Sequence, residues 1–130
     1  MSAVIDTNVL IFDTFEDSQL HTEAHSRLDG LERWLIPSIV LHEYLSFMRA
    51  ERVELDFTRN KMVEYLTNIK TVYQPIEATD ILFACREMRN HTEYNDYLTL
   101  SVSKKTRQPL LTYDATLRKN CGRLGVKTVA

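Results

Sequence analysis

Long hydrophobic runs are missing from this chain of 130 residues. Nowhere do apolar residues continue for the roughly 18 positions that a membrane helix needs. Cysteine is scarce. Cys85 and Cys121 stand alone, in neither a zinc spacing nor a disulfide framework, so a reducing compartment is expected and the cytoplasm is the default location. With only 3 Gly and 3 Pro, collagen-like, linker-like and low-complexity architectures are excluded. The N-terminus lacks a basic stretch leading into an apolar run, so no signal peptide is expected. What is present is the residue mixture of an ordinary globular protein. The length suits a single domain over residues 1–130, able to bury about two-thirds of its unfolded surface. No repeat divides it.

Charge is unevenly placed. Residues 1–96 carry 17 acids against 9 Lys and Arg, a net of −8. Residues 97–130 carry 7 Lys and Arg against Asp114 alone, a net of +6. A basic C-terminal third can attract a polyanion, or it can be a plain solvated surface.

Hydrophobic spacing predicts the elements. Ala3-Val4-Ile5 reads as a strand ending at Asp6, and Val9 to Phe12 begin a helical turn. Residues 18–32 place Leu20, Ala24, Leu28 and Leu31 on one helical face. Trp34-Leu35-Ile36 reads as a second strand. A helix follows from Ser38, its expected N-cap, to about Arg52. Another helix is predicted from Phe57 to Ile69, and Val72 to Ile76 read as a strand. Thr79 is expected to cap a helix to about Asn90 that turns Ile81, Leu82, Cys85 and Met88 inward. Asn95 is expected to cap a helix to about Lys105, with Leu98 and Val102 inward. Leu110 to Tyr113 read as a strand ending at Asp114. A short helix from Ala115 to Lys119 and an edge strand from Val126 to Val129 complete the chain. Strands alternating with helices imply an α/β domain with a mostly parallel sheet covered on both faces.

Four acids stand out. Asp6 and Asp114 each follow an apolar strand directly, where ligands gather in open parallel sheets; either alone is equally well a helix cap. Glu43 shares a helical stripe with Ile39, Val40 and Phe47. A carboxylate placed there is partly buried and needs a cation, hydrogen-bond donors or an arginine partner. Asp96 opens its helix, where the dipole favours an acid whatever its role. Taken together they suggest a cluster that repels itself unless a divalent ion neutralises it. Oxygen donors favour Mg²⁺ or Mn²⁺. Such a centre can activate water against phosphorus, which is the chemistry of phosphodiester hydrolysis.

At these residues the chain resembles the PIN-domain ribonuclease family, especially the VapC-like toxins of toxin–antitoxin pairs. Val4-Ile5-Asp6-Thr7-Asn8-Val9-Leu10 resembles the opening motif of that family, and Ile36-Pro37-Ser38-Ile39-Val40-Leu41-His42-Glu43 the second. Asn95-Asp96-Tyr97-Leu98-Thr99-Leu100-Ser101 is similar to the third, and Leu111-Thr112-Tyr113-Asp114 to the fourth. Tyr97 and Ser101 depart from it, standing where small apolar residues are usual. The resemblance implies a three-layer α/β/α fold around four or five mostly parallel strands. It implies that Asp6, Asp96 and Asp114 hold Mg²⁺ or Mn²⁺ directly or through water, while Glu43 completes the pocket and orients the nucleophilic water. Asn8 and Thr112 are then supporting groups, and Arg49, Lys104, Lys105 and Arg118 candidate RNA contacts. It also implies an endoribonuclease cutting single-stranded RNA, a cognate antitoxin and a homodimer.

Other readings remain open. They are a receiver-like magnesium-binding or non-catalytic interaction module, and an RNA-processing PIN nuclease without an antitoxin. An aspartyl phosphotransferase fits less well, since it wants an acid where Asn8 stands. His21 and His25 lie one helical turn apart with no third ligand and are read as helix surface. His42 is read as rim, and Asp80 as a capping residue. Tyr44, Phe47 and Tyr65 are read as core or subunit interface.

Overall fold

The computed structural model describes residues 1–129; Ala130, the last position of the expected domain, lies outside them. Four strands, β1 (Ser2–Ile5), β2 (Arg33–Pro37), β3 (Thr71–Gln74) and β4 (Leu110–Leu111), form one sheet in the order β3-β2-β1-β4. Every pairing is parallel, with Val4 beside both Leu35 and Leu110. The chain steps from β1 to β2 and β3 on one side, then returns to add β4 on the other. The direction of strand addition therefore reverses between β1 and β4. Loops diverge at the carboxyl ends of such a pair and leave a crevice there.

Helices cover both faces. On one lie α1 (Thr7–Thr14), α2 (His21–Gly30), α3 (Ser38–Ala50) and α4 (Leu55–Thr67). They bury Val9, Leu10, Leu28, Val40, Tyr44 and Met48 against Ile5 and Ile36. On the other lie α5 (Ala78–Glu87), α6 (Tyr94–Thr106) and α7 (Ala115–Leu124), with a single 3₁₀ turn over His91–Glu93. These bury Ala84, Tyr97, Leu98, Leu100, Leu117 and Cys121 against Val4 and Leu110. The result is the expected three-layer α/β/α arrangement. Among the described residues no helix is long and apolar enough to cross a membrane.

Several sequence expectations are corrected. Val126 to Val129 make no edge strand; Thr128 forms only an isolated bridge to Leu110. The last helix runs on to Leu124 and stops at Gly125, whose φ of 73° suits glycine. Ser38 is not an N-cap. Pro37 occupies that place, and the Ser38 hydroxyl accepts instead from the Ile76 N–H (2.9 Å), tying α3 to the loop after β3. Helix α4 begins two residues early, where the Glu54 carboxylate caps it by accepting from the Asp56 N–H, and ends two residues early, where the Asn68 carboxamide turns the chain by accepting from the Lys70 N–H. Ile69 is left 92% exposed. Thr79 does not cap α5 either: Glu77 stands at the cap, and Asp80 accepts from its N–H at 2.8 Å.

Helix α5 is also rotated from its expected face. Ile81, Leu82 and Cys85 point outward, while Asp80 and Ala84 are buried. The cause is polar. Asp80 is 0% exposed and takes hydrogen bonds from Ser101 (2.7 Å) and Lys105 (2.8 Å) of α6. Satisfying a buried carboxylate outweighs hiding two aliphatic side chains at about 2 kcal/mol each. The family departures at Ser101 and Tyr97 fit this packing. Ser101 serves Asp80, and Tyr97 fills the core with its hydroxyl accepting from Arg123.

A second buried polar group sits under α1. The hydroxyls of Thr14, Tyr44 and Tyr65 meet within 3.0 Å, and Tyr65 also donates toward Asp13 and the Leu10 carbonyl. Both tyrosines are core, as expected. Tyr65→Phe is expected to lower stability by about 1–2 kcal/mol, because it strands buried acceptors rather than making a cavity. Urea unfolding of the variant, with the m-value unchanged, checks this.

Candidate active site

Residues distant in sequence meet at the crevice between β1 and β4. Asp6 leaves β1 and caps α1, with its Oδ1 accepting from the Thr7 N–H at 2.8 Å. Thr112 lies one residue beyond β4, and its hydroxyl donates to Asp6 Oδ2 at 2.6 Å. This explains why β4 is shorter than the apolar run suggested: Thr112 leaves the ladder to serve Asp6. Asn8 spans the same gap, donating to the Thr112 hydroxyl (3.3 Å) and accepting from the Tyr113 N–H (3.2 Å). The Asp114 N–H donates to that hydroxyl too (3.1 Å). Asn8 and Thr112 thus stitch the first and last strand ends together.

Glu43 reaches the crevice from α3, half-buried as its apolar stripe required. Its partners are donors rather than an arginine. The Thr7 hydroxyl donates to Oε1 at 2.6 Å and the Asn95 amide to Oε2 at 3.4 Å. Neither donor was picked out for this task from the sequence. Asn95, expected as a helix cap, lies inside α6, and the preceding 3₁₀ turn opens that helix instead. The signal for both was their position beside an acid of the set.

Asp96 enters from the first turn of α6, half-buried. Burial first, then the carboxylates of Asp6, Asp114, Glu43 and Glu93, push its pKa up to about 7. No hydrogen bond offsets this. Asp6 is 7% exposed, and burial raises its pKa to about 6 against the lowering effect of Thr112 and Thr7; Glu43 and Asp114 add to the rise. The four acids therefore share one electrostatic environment although they come from four elements. Among the described residues, none of the four is paired with Lys or Arg.

Among the described residues no three His, Cys, Asp or Glu side chains converge to hold an ion outright. Asp114 uses Oδ1 to cap α7, accepting from the Leu117 N–H at 3.0 Å. Capping and clustering, posed as alternatives, coexist in Asp6 and Asp114. The donor set still fits Mg²⁺ or Mn²⁺. It is all oxygen, short of positive charge, and magnesium binds through one or two carboxylates while keeping waters.

The expected RNA contacts are dispersed. Lys105 is ion-paired with Asp80 (2.8 Å) and Glu77 (3.1 Å), so its charge serves the fold. Arg118 donates to the carbonyls of Thr112 (3.1 Å) and Val129 (3.4 Å), bracing the loop behind Asp114. Lys104 is exposed at the far end of α6, eight residues or about 12 Å along the axis from Asp96. Arg49 is exposed in the last turn of α3. His42 is exposed at the rim beside Glu43, as expected. His21 and His25 stack on each other, with His25 bonded to Asp13.

No curated protein matches the chain in sequence. Among solved structures, VapC20 of Mycobacterium tuberculosis, described as a sarcin–ricin loop cleaving toxin, is similar with a TM-score of 0.79 at 14% identity over 98% of each chain. VapBC2 of Rickettsia felis, bound to a DNA fragment from their promoter, gives 0.69 at 16% identity over 99% of this chain and 98% of that one. A PilT N-terminus domain protein of Sulfolobus solfataricus gives 0.52 at 13% identity, covering 99% and 86%. Such identities speak for the fold. The PIN domain family matches residues 3–122, nearly the whole α/β/α core with all four acids inside it, and this chain belongs to that family.

Proposed function

We propose that the chain is a metal-dependent endoribonuclease that hydrolyses phosphodiester bonds of single-stranded RNA as the toxin of a toxin–antitoxin pair. What supports this reading is that Asp6, Glu43, Asp96 and Asp114 act on one another's charge near the reversal point of a parallel sheet, and that among the described residues none of them pairs with Lys or Arg. An anionic pocket without arginines repels a phosphodiester unless a divalent ion joins it. Asp6, Asp96 and Asp114 would hold Mg²⁺ or Mn²⁺, with Glu43 closing the pocket. When bound, the ion supplies positive charge to the phosphate and acidifies water.

The chain's own groups do the rest. Thr112 and the Thr7 N–H fix both oxygens of Asp6, so its orientation is set before any ligand arrives. Thr7 holds Glu43 Oε1 closely, while Oε2 has only the longer contact to Asn95. Oε2 is thus the freer oxygen to accept a proton from an attacking water. The low exposure of Asp6 thins the water around the reacting phosphate and strengthens each charge interaction there. Cleavage of single-stranded RNA should require Mg²⁺ or Mn²⁺, stop with EDTA, and disappear in Asp6→Asn and Glu43→Gln proteins that remain folded. A chelator-resistant activity would refute the metal-dependent mechanism.

The toxin role draws support from the VapC-like fold. Expression is expected to arrest growth unless a cognate antitoxin is co-expressed, and Asp6→Asn should be harmless. Equal harmlessness of both proteins without a partner would leave an RNA-processing nuclease. A homodimer in the cytoplasm completes the proposal, supported by the outward apolar face of Ile81 and Leu82. Sedimentation of the purified protein reads its mass.

A further inference from the structure

At the opposite end of α6 from the acids lies a pocket of about 320 Å³. Lys104, Arg107 and Lys127 line it with Ser103, Gln108 and Gly125, and no acid does. The composition is selective. The cavity beside Tyr65 mixes Asp13, Asp29 and Glu64 with Lys61 and Lys70, whereas here three cations face one space unopposed. Elsewhere in the basic C-terminal third every charge but that of the exposed Lys119 is engaged. Lys105 is paired with Asp80, Arg123 with Glu87, and Arg118 holds carbonyls. Among the described residues Lys104, Arg107 and Lys127 pair with no carboxylate, and Lys104 reaches only the Leu124 carbonyl at 3.3 Å. Ser103 is 1% exposed, and its hydroxyl has no hydrogen-bond partner. Three cations around one space, none paired with a carboxylate among the described residues, are the chemistry of a site for an anion. Arg107 is held at φ 56°, a left-handed conformation that glycine would adopt without strain.

We propose that this pocket binds a backbone phosphate of the RNA whose scissile bond lies at the carboxylates, making it a second anchor on the far side of α6. The inference rests on the ribonuclease reading above. From Asp96 to Arg107 the helix rises about 16 Å. Residues 97–103 are buried between those ends, so the strand passes over neighbouring elements and, at about 3.4 Å per nucleotide, needs at least roughly five nucleotides. The substrate must then be longer than the bond it loses, and short oligonucleotides cannot engage both ends.

The test compares wild type with Lys104→Gln/Arg107→Gly/Lys127→Gln in the full chain. Arg107→Gly suits its backbone position, so the variant should melt no lower than wild type apart from the small cost of losing the Lys104 contact. Fluorescein-labelled oligouridylates of 4 and 12 nucleotides are bound in Mg²⁺ between 50 and 200 mM salt, with Glu43→Gln in both proteins so that binding is read without cleavage. For the 12-mer the variant is expected to bind about tenfold more weakly, with a log–log salt slope shallower by about 0.7, as one lost phosphate contact predicts for a single strand. The 4-mer should bind both proteins equally weakly. An unchanged slope and affinity for the 12-mer overturns the proposal. So does a pocket that saturates with inorganic phosphate, read by amide shifts of Arg107 and Gln108, while the RNA slope stays the same; that is a free-anion site. The two readings fail separately. Loss of slope without metal-dependent cleavage sinks the nuclease and leaves the anchor, and cleavage with an unchanged slope does the reverse.

Discussion

Asp96→Asn is expected to lose RNA cleavage by about 10²–10³-fold, the scale of removing one preorganised charge from a reaction centre, and yet to melt higher than wild type in metal-free buffer above pH 7. The two effects share a cause. The Asp96 carboxyl is pushed up to about 7 from 3.8 by burial and by four neighbouring carboxylates. In the unfolded chain it ionises near its ordinary value, so the folded state holds its proton more tightly. The sign follows. Below about pH 4 both states are protonated and nothing is lost; between about 4 and 7 the folded state is progressively penalised; above 7 the penalty is complete. Because solvent reaches part of the group, the cost is about 1 kcal/mol rather than the full shift, or roughly 4 °C in a domain of this size. The neutral isostere escapes it. Thermal melts of wild type and Asp96→Asn across pH 4 to 8 should therefore diverge as pH rises. Mn²⁺ should close the gap by stabilising wild type alone, and more at pH 8 than at pH 5. A gap independent of pH, or an unaltered cleavage rate, would contradict the assignment of Asp96 to the anionic centre.

Three of the acids stood out because they broke a local pattern, whereas Asp96 at a helix start broke none. Asp6 and Asp114 interrupt apolar strands, and Glu43 interrupts an apolar helical stripe; their burial follows from their neighbours along the chain. Their helpers were hidden because their roles are set across the fold. Thr7 meets Glu43 across 36 residues and Asn95 meets it across 52, and a hydroxyl or an amide on a helix reads equally as solvent surface. The same blindness misplaced Lys105. Beside Lys104 and Arg107 it looks like part of a cationic strip, and only the fold reveals Asp80, 25 residues earlier, as its partner. Helix α5 failed for a related reason: its more apolar face, Ile81 with Leu82 and Cys85, is outside, because a long-range ion pair sets the rotation. Periodicity reports which face is greasier, and it misleads where a buried charge decides orientation. The parallel order of the sheet was legible from the alternation of elements. The length of β4 was not, because Thr112 leaves the ladder for Asp6.

Lys105→Met is expected to destabilise the protein by about 3–5 kcal/mol at pH 7, a large part of the 5–15 kcal/mol that holds such a domain together. Asp80 is fully buried at the joint between α5 and α6, and its charge is held by the Lys105 ammonium, the Ser101 hydroxyl and the Glu77 N–H. Burial acts to raise its pKa, but these three donors together outweigh it and hold the carboxyl below its ordinary range. In wild type this pairing therefore contributes stability above about pH 4 that is lost as pH falls through the lowered value. Removing the lysine reverses the sign. A buried carboxylate left with two neutral donors is more stable protonated, so the deficit should be greatest at neutral pH and shrink toward pH 4. The double variant Asp80→Asn/Lys105→Met should recover most of the loss, since neutral groups that keep the Ser101 and Glu77 contacts leave no charge in the core. Urea unfolding at pH 7 and pH 4.5 reads all three proteins. A deficit below about 1 kcal/mol at pH 7, or one the double variant does not relieve, would mean that Lys105 is an exposed cation after all and that α5 takes its rotation from packing alone.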